Sequence, residues 1–247
     1  MKYNRRAAVV VAAAGIASFA APVVAAGADP VPCQEITVPV VLGESPGWIA
    51  GTLCMPAGEA TTRIQVLVPG LTYNRTYFDF PDPEYSYVQY MAQHGEATLA
   101  IDRLGTGQSW HPPSGRVTFA AHVSTVQQVI QAIRAGTIAP NVTSVVLVGH
   151  SYGSAVASAV ASTPGLVDAL IVTSTGHSWL ANIALAASPV TMWPAAMERR
   201  FRGQGLDPGY LTTWPGLTVV IVPDSGHVLN LDRSRMIGWT AALTFLN

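Results

Sequence analysis

The segment Gly149-His150-Ser151-Tyr152-Gly153 sets a serine between two glycines. Ahead of it, Ser144-Val145-Val146-Leu147-Val148 is almost wholly apolar, as a central parallel strand covered on both faces requires. Behind it, Ser154 to Ser162 is rich in small residues and reads as a helix. A sharp strand-to-helix turn of this kind lifts a serine hydroxyl clear of the carboxyl edge of a sheet, where it can attack a carbonyl carbon. Glycines are needed because bulky side chains would collide in the turn. An ordinary turn with an idle serine is the bland alternative. The strand before and the helix after favour the nucleophile.

A serine hydroxyl is a poor nucleophile without a base. Of the six histidines, His227 is the best placed. It follows the last apolar run, Leu217 to Val222, inside Asp224-Ser225-Gly226-His227, just ahead of a closing helix over Leu231 to Leu246. His150 sits inside the turn and faces away from where a base must stand. His94 and His122 fall on expected helices, and His111 lies in a Pro-rich loop. His177 follows a strand and could line the site. A tetrahedral intermediate also needs two backbone N–H donors for its oxyanion. One is expected from Tyr152, the residue after the nucleophile. The other is expected from Pro69-Gly70-Leu71-Thr72, after an earlier strand, with Leu71 as the donor.

These residues need a scaffold that brings strand ends together. Strands are expected at Glu35–Leu42 and Trp48–Leu53, a hairpin around Gly43 to Gly47, then at Ile64–Val68, Ala97–Ile101, Ser144–Val148, Ala169–Val172 and Leu217–Val222. Helices are expected at Glu84–His94, Thr118–Ala135, Ser154–Ser162 and Leu231–Leu246. In the second, Val123, Val126, Val129, Ile130 and Ile133 recur at helical spacing. Alternation of this kind implies an α/β architecture: a doubly wound, mostly parallel sheet with flanking helices and an N-terminal β-hairpin. The stretch 178–215 fits least. It is rich in Pro and Gly, carries Arg199, Arg200 and Arg202, and reads as a small lid.

With Asp102-Arg103-Leu104-Gly105-Thr106-Gly107-Gln108-Ser109 added, the chain resembles the α/β-hydrolase superfamily and its secreted lipase- and esterase-type members. The resemblance spans most of residues 35–175 and 217–247. It implies a structural role for Asp102, in the family's D-x-x-G-x-G-x-S turn. Pro69 stands where many relatives have His, a tolerable change because the donors are main-chain. The resemblance also implies a third triad member, an acid after a strand between the lid and the His-bearing strand. Here the interval from Ser151 to His227 already holds a helix, one strand and the lid. The chain reads as if that strand and its acid were deleted. Asp224 is the first substitute, Asp207 could reach in from the lid, and Asp168 is at the wrong end of its strand; none is assigned. Disabling the acid of a serine triad costs on the order of 10⁴-fold in kcat, about 5.5 kcal/mol. A Ser–His pair would be slow without being inert.

Bulk composition agrees with a secreted globular enzyme. Apolar residues are 49% of the chain, charged residues 11%, and the net charge is −1, with no basic patch suited to nucleic acid. Lys2, Arg5 and Arg6 precede an uncharged apolar run, and Ala26-Gly27-Ala28 offers small residues for cleavage. Residues 1–28 are therefore expected to be a signal peptide, and 29–247 the hydrolase domain, with no stable membrane insertion once the signal is removed. A retained anchor is the alternative, although Ala-rich runs insert poorly. Cys33 and Cys54 are the only cysteines, and the hairpin would bring them together as a disulfide in an oxidising compartment. Neither a metal site nor a cofactor is expected. The expected activity is cleavage of a small-molecule carboxylic ester through an acyl-enzyme on Ser151, with His227 as base. Trp179, Trp193 and Trp214 in the lid point to an apolar acyl or alcohol group. Peptidase, thioesterase and acyltransferase chemistry would use the same residues. A degenerate hydrolase that binds a ligand or partner without efficient turnover is the reading from a different class.

Overall fold

The computed structural model describes residues 6–12, 30–56, 61–174, 217–222 and 228–247. His177, the lid at 178–215, Asp207, Asp224 and His227 lie outside these residues. Eight strands are described: β1 (Arg6–Ala12), β2 (Cys33–Leu42), β3 (Ser45–Cys54), β4 (Arg63–Val68), β5 (Ala97–Ile101), β6 (Ser144–His150), β7 (Ala169–Thr173) and β8 (Leu217–Val222). They form one sheet in the order β2-β3-β5-β4-β6-β7-β1-β8. Only the β2–β3 and β3–β5 pairings are antiparallel. The rest run parallel, so their carboxyl ends share one edge.

Period-two alternation in the central strands builds two apolar layers. Val145 and Leu147 of β6, with Val66 and Val68 of β4, face the layer that contains Val126, Val129, Ile130 and Ile133 of α2 (Phe119–Arg134) and Val156 and Val160 of α3 (Tyr152–Ala161). Val146 and Val148, with Leu67, face the opposite layer. It contains Val88 and Met91 of α1 (Tyr87–Gln93) and Trp239 and Ala242 of α4 (Arg235–Leu246). Each fully buried Val, Leu or Ile contributes about 1.5–3 kcal/mol relative to leaving it in water. This explains why β6 reads as a continuous apolar run, and β4 as one interrupted only by Gln65: both faces are covered.

The hairpin turn is tighter than the sequence suggests. Only Gly43 and Glu44 lie between the strands, with Gly43 at φ +61°, and Ser45 to Gly47 belong to β3. Position 47 must be glycine because a Cβ there would lie 2.1 Å from the Trp110 ring. Cys33 and Cys54 are register partners 4.3 Å apart at Cα and form a disulfide. In the loop-entropy account, a closed loop of this size adds about 3 kcal/mol. The helix expected from Glu84 to His94 is split. Pro83–Tyr85 forms a short 3-10 turn capped by Asp82, and Ser86, at ψ 107°, separates it from α1 and caps that helix instead. Likewise Leu229–Leu231 is a 3-10 turn, and α4 begins only at Arg235.

The place between β7 and β8 is taken by β1, which pairs in parallel with both. This strand comes from the stretch whose composition reads as an export signal. Ala13-Ala14-Gly15 follow it in sequence. The strand therefore completes the sheet without bringing a carboxylate to its carboxyl edge. Among the described residues, no helix is long and apolar enough to cross a membrane.

Candidate active site

Ser151 stands between β6 and α3 with φ 53° and ψ −118°, a left-handed conformation that a non-glycine residue adopts only under constraint. Its N–H donates to Thr173 O of the adjacent β7 at 3.0 Å, and its carbonyl accepts from Ser154 N at 2.9 Å. The flanking glycines explain how the turn closes. A Cβ on Gly149 would lie 2.5 Å from Gly153 O. One on Gly153 would lie 2.1 Å from Val68 O and 2.6 Å from Pro69 O. Helix α3 thus starts against the end of β4, and only glycine fits between them. Ser154 Oγ donates to Gly149 O and Thr173 O, locking the first turn.

The loop after β4 lies against Ser151. A Cβ on Gly70 would be 3.3 Å from Ser151 Cβ and 3.2 Å from the His150 ring. Leu71 and Tyr152, the two expected oxyanion donors, are each half-buried on this side of the sheet. The carbonyls of the loop point away into a buried guanidinium. Arg103 Nε donates to Pro69 O at 3.0 Å, and Nη2 donates to Gly70 O and Leu71 O at 2.7 and 2.6 Å. Arg103 is 1% exposed. Burial pushes its guanidinium down to about 10, opposed by the neighbouring Tyr152 and Asp102, so it stays charged at neutral pH. Its Cζ lies 5.1 Å from the centre of the Tyr152 ring, and burial raises that phenol. Nothing in the sequence pattern marked Arg103 as part of the site; its one signal is a charge next to a buried strand.

Asp102 has the structural role its turn implies. Its carboxylate accepts from Arg75 N and Gln108 N, both at 2.8 Å, and its carbonyl accepts from Ser109 Oγ. Gly107 is required beside it, since a Cβ there would lie 2.2 Å from the carboxylate. Asp168 precedes β7 at the opposite edge of the sheet from Ser151. It pairs with Arg134 and accepts from Val145 N.

Three of the four described histidines are engaged in packing. His150 is fully buried, and its Nδ1 shares hydrogen bonds with Tyr77 OH at 3.0 Å and Thr173 Oγ1 at 3.1 Å. His94 caps α1 through Tyr90 O, and His111 is exposed. His122 is buried against the Tyr152 ring and accepts from Arg103 Nη1 at 3.5 Å. Burial first, and then the Arg103 charge, lower it to about 4, which keeps it neutral. This leaves His177 and His227, both outside the described residues; His227 stands one residue before the described segment resumes. Two residues past Val228, Asn230 N donates to Tyr77 OH at 3.4 Å, and Trp239 Nε1 donates to Asn230 Oδ1 at 3.0 Å. The Tyr77 ring stacks on His150 with centroids 4.1 Å apart. The chain just after His227 is therefore anchored through one phenol to the neighbour of Ser151. Among the described residues, no group of three His, Cys, Asp or Glu could hold a metal ion.

No curated protein matches the sequence. Among solved structures, a hydrolase from Agrobacterium vitis is 15% identical, with a TM-score of 0.58 over 87% of this chain and 100% of that one. An esterase from Exiguobacterium antarcticum is 13% identical, with a TM-score of 0.58 over 86% of this chain and 100% of that one. Of an epoxide hydrolase from an endophytic Streptomyces the chain spans only 38%, at 20% identity over 58% of this chain and a TM-score of 0.43. The first two likenesses describe the fold. The family model of the alpha/beta hydrolase family matches residues 65–215, more than half of the chain, from β4 past the turn at Ser151. With the sheet order and the turn geometry, this makes the chain a member of the alpha/beta hydrolase family.

Proposed function

We propose that the chain is an exported serine hydrolase of small carboxylic esters. One observation carries this reading: Ser151 is held in a left-handed turn with the Gly70 loop against its Cβ. In the proposed cycle, Ser151 Oγ attacks the acyl carbon while His227 takes its proton. Backbone N–H groups of Leu71 and Tyr152 hold the oxyanion. His227 then protonates the leaving alcohol, and it later activates the water that cleaves the acyl-enzyme. Asp224 is the first candidate for orienting His227. Asp102 and Asp168 are committed elsewhere. The disulfide suits an oxidising compartment, consistent with removal of residues 1–28 on export.

The second reading is a ligand-binding relative with little turnover. It is favoured by the commitment of Asp102 and Asp168 to other partners. Hydrolysis of short and medium p-nitrophenyl esters, with Ser151→Ala alongside, separates the two. Turnover that vanishes in the variant supports the hydrolase. Equal inactivity of two folded proteins across pH and chain length overturns it and favours the binder.

A further inference from the structure

We propose that Arg103 is a positioning residue for the oxyanion hole, a clamp that turns the Leu71 N–H toward Ser151. This rests on the hydrolase reading for its catalytic consequence. Three successive carbonyls, those of Pro69, Gly70 and Leu71, accept from one guanidinium. No cis peptide occurs in the described chain. Across a trans peptide, the C=O of one residue and the N–H of the next point in opposite directions. Fixing Gly70 O on Arg103 therefore turns the Leu71 N–H to the other side of the loop. That side is Ser151's, because a Cβ built on Gly70 would lie 3.3 Å from Ser151 Cβ and 3.2 Å from the His150 ring. A second bond, Tyr73 N to Gly70 O at 3.1 Å, leaves that carbonyl doubly held. The same guanidinium lies against the Tyr152 ring, so one side chain touches the residues that supply both donors. Lysine could not do this. It has no planar fork to span three carbonyls. His122, neutral and accepting from Nη1, leaves the Arg103 charge for the loop.

The test compares wild type, Arg103→Lys and Arg103→Met by hydrogen exchange of the 70–73 amides and by ester kinetics. Faster exchange of those amides is expected in both variants. With it should come a fall in kcat on the order of 10²–10³-fold, the effect of losing one oxyanion donor. KM should change little, and millimolar guanidinium should restore part of the rate in Arg103→Met. A side chain that served only stability would lower both variants' melting temperatures without rescue or a selective kcat loss. Unchanged exchange in a folded variant overturns the clamp, as does faster exchange with kcat intact. An inactive wild type counts against the hydrolase reading alone, since the exchange contrast still decides the clamp.

Discussion

Replacing Gly153 by alanine adds one methyl where α3 meets the end of β4. The new Cβ would lie 2.1 Å from Val68 O and 2.6 Å from Pro69 O, both backbone atoms that cannot swing aside. Reaching ordinary contact takes a shift of roughly 1 Å, and a misplacement of that size at an active site costs on the order of 10²-fold in rate. Overpacking of this kind costs about 3 kcal/mol at its upper range. The better helix propensity of alanine offsets about 1 kcal/mol. The net loss of about 2 kcal/mol predicts a melting temperature lower by roughly 4–8 °C for a chain of this size. Calorimetry and ester kinetics on the same preparations measure both. Gly115→Ala, which meets nothing within 4 Å, should match wild type. Gly70→Ala is intermediate: its nearest contacts, at 3.0–3.3 Å, are side-chain atoms of Tyr73, His150 and Ser151. It should keep most of its stability and lose rate. A Gly153→Ala protein that melts with wild type and keeps its kcat would refute the close approach of α3 to β4, and with it the reason for this glycine.

Replacing Cys33 and Cys54 together by alanine should lower the melting temperature by roughly 6–12 °C, from about 3 kcal/mol of loop entropy. Wild type in reductant should fall by a similar amount, and identical melts would show that the bridge adds nothing. His122 has a folded value near 4, below its ordinary 6.5, so the unfolded chain binds the proton more readily. Its contribution should be complete above about pH 6.5 and fall away as pH drops toward about 4. His122→Asn should flatten acid unfolding in that window, and an unchanged pH profile would refute the assignment. The intact mass of protein recovered from culture medium should correspond to a start near Asp29. In that case β1 leaves the sheet and the edges of β7 and β8 must close on one another. An active exported chain that keeps residues 1–28 would instead make β1 a permanent part of the fold and end the signal-peptide reading.

The turn at Ser151, the alternation of strands and helices, and the hairpin with its paired cysteines were legible in the sequence because each is written locally. Gly149 and Gly153 flank Ser151 at fixed spacing, and the buried runs of β4 and β6 announce strands covered on both faces. Boundaries were less legible where a capping side chain intervenes, as at Ser86, or where a 3-10 turn precedes the helix, as at Leu229–Leu231. What only the tertiary structure decided depends on groups far apart in sequence. Arg103 reaches the loop of Pro69 to Leu71. Tyr77 joins Asn230 to His150. The place between β7 and β8 is filled from the opposite end of the chain. Periodicity reports which face of an element meets the core. Neither the carbonyls a buried cation will find nor the strand that completes a sheet is encoded in local spacing, since both follow from how the elements close upon each other.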